Sequence, residues 1–334
     1  MTTYAYAGHE TVGAYVKRQL DAAGWEESGS IETADAIITY FTHASAIEDA
    51  YFDDGGIIKC AREDALLIDL SPSTLSLSRE ISAVATVSDL IPIEAPIAVL
   101  DASLDDAFAM RENIICFVSG DEDAIAKGGE VLKLLAGMVR HCGTSGKSQL
   151  SKAAYTMQFA SQFIAAVESE ALVRAALEVE DQIQETRSLD LVEPLSDLIA
   201  TALPAIGDAN YKGTYTVEMM MADVVAAMTV ADDASAVLPH LESTMKMLEM
   251  LAVIGGADLA PAALTLLFRD EETCSKAGLD WSRIDGLFVE EHDNGQNHEP
   301  DIYEVFEEEY GDFNIFDDGG DGFDFDGLGV YSEH

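Results

Sequence analysis

Basic residues are scarce in this chain. Eighteen lysines and arginines stand against 62 acids in 334 residues, a formal charge of −44 at neutral pH. A field of that sign repels nucleic acid and anionic membranes, so neither is expected as a partner. Long apolar runs are also lacking: none approaches the roughly 18 residues of a membrane-spanning helix. The first residues enter a strand almost at once, without the basic-then-apolar pattern of a secretion signal, and a cytoplasmic protein is expected. Cysteine is sparse. Cys60, Cys116, Cys142 and Cys274 form no C-x-x-C pair and read as buried free thiols in a reducing compartment. His292 and His298 have no cysteine neighbours, and no metal site is expected.

What is present is apolar and periodic. Hydrophobic residues make up 48% of the chain, ample for sizeable cores, and the length favours two domains. The first half alternates strand and helix signals. Tyr4–Ala7, Ala36–Phe41, Leu66–Leu70, Ala83–Val87, Ile97–Leu100 and Asn113–Val118 read as strands. Ala14–Ala23, Ala44–Tyr51 and Asp123–Leu135 read as helices between them. Such alternation predicts a mostly parallel sheet with helices on both faces over residues 1–145. From Gly146 strand signals stop. Helices are predicted at Ser148–Glu180, Leu189–Ala202, Thr216–Val230, Ala234–Ile254 and Ala260–Phe268, an all-helical domain over residues 146–289 that buries an apolar face against a second copy. Met219, Met220 and Met221 read as core filler. Residues 290–334 carry 16 acids and no lysine or arginine, and aromatics punctuate them. This acidic tail, with an amphipathic segment at 302–316, is a candidate surface for a protein partner.

The most informative motif is Gly8-His9-Glu10-Thr11-Val12-Gly13. It follows a short apolar strand and opens an amphipathic helix, the context of a pyrophosphate-binding turn. In such turns the first glycine makes the bend, the second lets backbone approach the pyrophosphate, and the third lets helix and strand pack. Gly8 and Gly13 fill the first and third places. Glu10 fills the second with a charge. Two like charges about 4 Å apart at an effective dielectric near 20 repel by roughly 4 kcal/mol.

Several further segments lie in one order along the chain: Ala34-Asp35-Ala36-Ile37-Ile38-Thr39, Asp54-Gly55-Gly56-Ile57-Ile58, Leu67-Ile68-Asp69-Leu70-Ser71, Ala95-Pro96-Ile97, Gly120-Asp121-Glu122-Asp123-Ala124, Gly143-Thr144-Ser145-Gly146 through Lys152, and Glu170-Ala171-Leu172. With the Gly8 turn they resemble the β-hydroxyacid dehydrogenase family, the group of 3-hydroxyisobutyrate and 6-phosphogluconate dehydrogenases, over residues 1 to about 275. The resemblance implies a Rossmann-like domain followed by a helical domain for dimerisation and substrate. It implies NAD or NADP as cofactor, a small β-hydroxyacid as substrate, and Lys152 as the general acid and base. It places Gly8, Gly13 and Ser71 at the cofactor, and Ala98, Tyr155 and Asp223 at the substrate. Lys152 near a helix start has the positive end of the helix dipole beside it. Taken alone, it reads as a surface lysine of a first helical turn.

The chain departs from the family at several of these places. Only Trp25 to Thr33 separate the first helix from Ala34-Asp35, so the second strand is expected to be missing. Glu26, Glu27 and Glu32 are then ribose-binding candidates by proximity alone. Ala98-Val99-Leu100 replaces the small Ser-Gly-Gly that binds a substrate carboxylate. Tyr155 stands where the family has asparagine, and Ala222 replaces a lysine before Asp223. Three readings stay open: an NAD(P)-dependent oxidoreductase, a non-catalytic dimeric homologue that binds a partner through its acidic tail, and an enzyme with another ligand in the inherited cleft. Gly146-Lys147-Ser148 resembles the end of a phosphate loop, but His141 stands where its first glycine belongs. The Asp317–Gly327 run fails the calcium-loop ladder.

Overall fold

The structure, a computed structural model, describes residues 2–179 and 186–283. The tail, its 302–316 segment, the Asp317–Gly327 run, and His292 and His298 lie outside the described residues. The chain begins with β1 (Thr3–Gly8), α1 (Glu10–Ala22), β2 (Glu26–Glu27), β3 (Ala36–Tyr40), α2 (Ala44–Phe52), α3 (Ile57–Cys60), β4 (Leu66–Asp69), α4 (Leu75–Val87) and β5 (Ile91–Glu94). It continues with β6 (Ile97–Val99), β7 (Ile114–Gly120), α5 (Glu122–Leu135) and β8 (Met138–Gly143). The strands form one sheet in the order β2-β1-β3-β4-β5-β7-β6, with β8 on β7. β1 to β5 run parallel, whereas β7 is antiparallel to β5 and β6. The chain leaves β1 for β2 on one side and returns to β3 on the other. That reversal opens a crevice at the carboxyl ends of β1 and β3, the usual ligand position in open α/β sheets.

Two expectations need correction here. The second strand is present, because Glu26–Glu27 pairs in parallel with Thr3 and Tyr4 of β1. The Glu26 and Ser28 N–H groups donate to Thr2 and Tyr4 carbonyls, and the Glu27 carboxylate also pairs with Lys17 of α1. Ala83–Val87, expected as a strand, forms the last turns of α4. The Thr74 hydroxyl caps that helix by accepting the Leu77 N–H, and buried Leu77, Ile81 and Ala85 recur four residues apart, at helical spacing. The strand follows at β5 instead. α1 starts at Glu10, four residues before the expected start, so Glu10 occupies its first turn.

The second half is helical, and its first helix, α6 (Lys147–Val179), is 33 residues long. A 3-10 turn at Ser188–Leu191 precedes α7 (Asp197–Gly207). The helix expected at Leu189–Ala202 is broken there because Pro194 lacks an N–H, and Ser196 caps a new start through the Ile199 N–H. α8 (Val217–Asp233) is capped by Thr216. α9 (Pro239–Leu251) begins five residues later than expected, with Pro239 in the first turn, where proline costs least. A π turn (Ala252–Gly256), a 3-10 run (Pro261–Phe268) and α10 (Glu271–Lys276) follow. Met219, Met220 and Met221 are buried in the core, as expected. Both halves, over the described residues, belong to one compact unit. Among the described residues no single helix is long and apolar enough to cross a membrane.

Cys116 and Cys274 are buried, but Cys60 and Cys142 are only half-buried, which corrects the expectation for those two. Cys60 ends the short helix α3, and Cys142 lies on β8, whose residues are half-buried or exposed.

Candidate active site

The crevice starts at the Gly8 turn. Gly8 has φ +125°, and a Cβ there would lie 1.9 Å from the Tyr40 carbonyl oxygen. Only glycine lets β1 and β3 approach so closely. Gly13 packs on the Tyr6 ring, with room for no side chain, and the Tyr6 hydroxyl donates to the His9 carbonyl at 2.7 Å. No side chain caps α1. Its first-turn N–H groups are therefore open to an anion, as a pyrophosphate site requires. Glu10 is exposed beside them.

Across the sheet, α6 is stitched to the strand ends turn by turn. The Glu94 carboxylate at the end of β5 accepts the Gly146 N–H at 2.8 and 2.9 Å and the Ser148 hydroxyl at 2.8 Å, and bonds the Ser145 hydroxyl as well. A negative charge at a helix N-terminus is the favourable arrangement. It also occupies the Gly146 N–H of the phosphate-loop look-alike, while the Lys147 N–H goes to the Thr144 carbonyl. Gln149 bonds the Ser71 carbonyl and the Ser73 N–H. Ser71 is buried, and its hydroxyl accepts the Phe41 N–H at 3.0 Å, so it ties the two crevice loops together.

Lys152 follows on the second turn of α6. Far from being a surface residue, it is 2% exposed. Its ammonium lies 2.7 Å from Asp223 Oδ1 of α8 and donates to the Ile97 carbonyl of β6. The Tyr215 hydroxyl donates to Asp223 Oδ2 at 2.9 Å. Burial raises the Asp223 carboxyl, and Lys152 and Tyr215 oppose that shift. The helix dipole weakens beyond the first turn, and Glu94 already occupies the end of α6. The charge paired with Lys152 is that of Asp223. One turn on, the Tyr155 hydroxyl donates to the Val99 carbonyl at 2.9 Å. A recess opens here between β6, α6 and α8, lined by Ala98, Val99, Tyr155, Phe159, Tyr215 and Asp223 among others. Lys152, Asp223, Tyr155 and Ala98 are thus brought together. Gly8 and Gly13 lie at the β1–α1 turn, and Ser71 is buried just after β4.

Tyr40 is buried at the end of β3, beside the Gly8 turn. Its carbonyl accepts the His9 N–H at 2.8 Å. Its buried phenol is held far above the ordinary range by desolvation, then by the charge of Asp223. On the crevice side, Thr42 donates to Glu218 of α8 at 3.2 Å, a contact from β3's loop to the helical half. Sequence reasoning missed Tyr40, Glu94, Phe159 and Tyr215. Only Glu94 had a usable signal, its place directly before Ala95-Pro96. Among the described residues no cluster of histidine, cysteine or acids could hold a metal ion.

Asp69, at the end of β4, is fully buried. It accepts the Thr39 hydroxyl and the Ser71 N–H, each at 3.0 Å. Burial pushes its carboxyl up to about 6 despite those bonds. An unfolded aspartate titrates near 3.9. Between roughly pH 4 and 6 the native state therefore holds a proton that the unfolded state has lost, and stability falls as pH rises, by about 3 kcal/mol over the whole window. The stability of wild type relative to Asp69→Asn should accordingly be greater at pH 4 than at pH 7 by about 2–3 kcal/mol. Urea unfolding across that range measures it, and a difference independent of pH would refute the assignment.

Comparison with known proteins places this geometry. Residues 6–143 match the model of the NAD binding domain of 6-phosphogluconate dehydrogenase. The match supports a member of the β-hydroxyacid dehydrogenase family. An uncharacterized oxidoreductase of Bacillus subtilis is 26% identical over 223 residues, 66% of this chain and 75% of that protein. A probable 3-hydroxyisobutyrate dehydrogenase of Mycobacterium bovis is 28% identical over 193 residues, 51% of this chain and 63% of that relative. In fold, the chain matches a Mycobacterium tuberculosis 3-hydroxyisobutyrate dehydrogenase solved with L-serine, with TM-score 0.65 and 23% identity over 81% of this chain and all of that one. The family is one of NAD(P)-binding oxidoreductases, and the sheet half carries its nucleotide-binding fold.

Proposed function

We propose that this protein is an NAD-dependent oxidoreductase that interconverts a hydroxyl and a carbonyl group on a small substrate, with Lys152 moving the proton. The observation that carries the reading is the buried Lys152–Asp223 pair at the start of α6. The residues present fit the dinucleotide. Gly8 supplies the close backbone approach, and the uncapped start of α1 supplies N–H donors for the pyrophosphate. Glu27 at the end of β2 stands where an acidic residue about 20 positions after the first glycine bonds the ribose 2′-hydroxyl. It already pairs with Lys17, so an added 2′-phosphate would meet a carboxylate and no spare cation. That favours NAD over NADP.

The bound nicotinamide would take up or supply the hydride. In the oxidative direction, Lys152 as free amine takes the proton of the substrate hydroxyl while hydride leaves the same carbon, and a C=O forms. In reduction Lys152 returns that proton to the oxygen. Asp223 positions the lysine, and Tyr215 and the Ile97 carbonyl fix the pair in turn.

Thermal shift and calorimetry test the reading. At 100 times its Kd, NADH should stabilise the protein by about 2.7 kcal/mol, and NADPH should bind at least about tenfold more weakly for lack of a 2′-phosphate partner. Because Glu10 is exposed, water screens it. Glu10→Gly should therefore tighten NADH only about fivefold, the repulsion expected near bulk dielectric. Failure of both nucleotides to bind wild type and Glu10→Gly alike would sink the proposal and favour a non-catalytic role.

A further inference from the structure

The segment that follows Ala95-Pro96 cannot serve as an anion cradle. β6 is fixed as a strand on β7, with Ile97, Ala98 and Val99 opposite Cys116, Ile115 and Ile114. The Ile97 N–H goes to the Leu70 carbonyl, and the Leu100 N–H to the Asn113 carbonyl. The Asp101 N–H goes to Asn113 Oδ1 at 2.9 Å, and the Asn113 amide returns bonds to the Asp101 and Ala107 carbonyls. On the side toward α6, β6 presents acceptors. The Ile97 carbonyl takes Lys152, and the Val99 carbonyl takes the Tyr155 hydroxyl.

Apart from the Thr156 hydroxyl, the rest of the recess is just as poor in donors for an anion. Phe159 stacks on Tyr155 and meets Tyr215 edge-on, and Met220 and Val99 complete an apolar wall. The acidic group in the lining is Asp223. Among the described residues, the cation paired with it is Lys152, already neutralised by that carboxylate. Outside, the net charge of −44 repels an approaching anion. A substrate carboxylate would leave water, find no unpaired cation, and lie close to Asp223.

We infer that the recess selects small, uncharged alcohols and their aldehydes or ketones, with one oxygen directed at Lys152 and an apolar body against Phe159 and Tyr215, and rejects carboxylate substrates. This rests on the dinucleotide reading and adds the substrate class. The redox balance is unchanged: hydride leaves carbon, the hydroxyl proton goes to Lys152, and no further reactant is needed.

The test uses two probes of the same shape, isobutyramide and isobutyrate, titrated into the protein–NADH complex and followed by NADH fluorescence. The amide should bind at least about a hundredfold more tightly, since burying an unpaired carboxylate is strongly unfavourable. Equal or tighter binding of the acid overturns the inference, and so does failure of both probes on a complex that demonstrably holds NADH. If NADH alone does not bind, the dinucleotide reading is at fault and this inference falls with it. Asp223→Asn supplies an independent arm. It keeps an oxygen for Tyr215 but frees the Lys152 charge, so the acid should gain and the gap should narrow at least about tenfold. A purely structural role would weaken both probes alike and leave the gap unchanged, which counts against the inference. If the variant does not fold, the wild-type comparison still decides.

Discussion

Replacing Lys152 by methionine lowers kcat by about a hundred- to ten-thousandfold, the usual worth of a positioned acid or base. Nucleotide binding survives, because the crevice donors at the start of α1 lie on a different element from α6. Methionine matches the length and apolar stem of lysine and removes only the proton carrier. kcat and kcat/KM should fall together, since the lost interaction acts in the transition state and not in the ground state. The variant also leaves Asp223 without its cation. Burial already raises that carboxyl, so it takes up a proton and keeps Tyr215 as a neighbour, and a folded protein is expected. Steady-state rates with any alcohol that wild type oxidises, together with an NADH titration, check both halves. Unchanged turnover would show that Lys152 is a core ion-pair residue and nothing more.

How much of this was readable beforehand depends on whether a feature leaves a local signal. Apolar runs such as Ala36-Ile37-Ile38 mark buried strands, and Gly8 marks a backbone that a Cβ would block, so the crevice was legible. The two halves, with their change of element type near Gly146, were legible too. Glu26–Glu27 was not, because a two-residue acidic edge strand has no apolar side. Ala83–Val87 misled because a short apolar run fits either period, and the Thr74 cap nine residues upstream settles the matter. The resemblance pointed to Lys152 and Asp223 separately. Their contact depends on how α6 crosses α8, and no spacing along one helix encodes that. Tyr215 and Glu94 reach the site from 8 and 52 residues away from their partners Asp223 and Gly146, at chain distances where periodicity says nothing.

The pair itself yields the second large effect, on stability. Asp223→Ala leaves Lys152 in the interior with the Ile97 carbonyl as its remaining partner and strands the Tyr215 hydroxyl. Breaking one side of a buried ion pair costs about 3–5 kcal/mol, most of it the burden of an uncompensated charge. Removing both charges relieves that burden. The double variant Lys152→Met/Asp223→Leu fills the space with apolar groups, and such replacements are often neutral. The double variant should therefore be more stable than Asp223→Ala, and a cycle completed with Lys152→Met and Asp223→Leu should show a coupling of about 1–3 kcal/mol by urea unfolding. It should also be inactive. That combination separates the two roles of the pair: stability recovers when both charges leave together, while proton transfer is lost whenever Lys152 is absent. Strictly additive single effects below about 1 kcal/mol would show that the two groups do not share a dry interior, and the positioning role assigned to Asp223 would go with it.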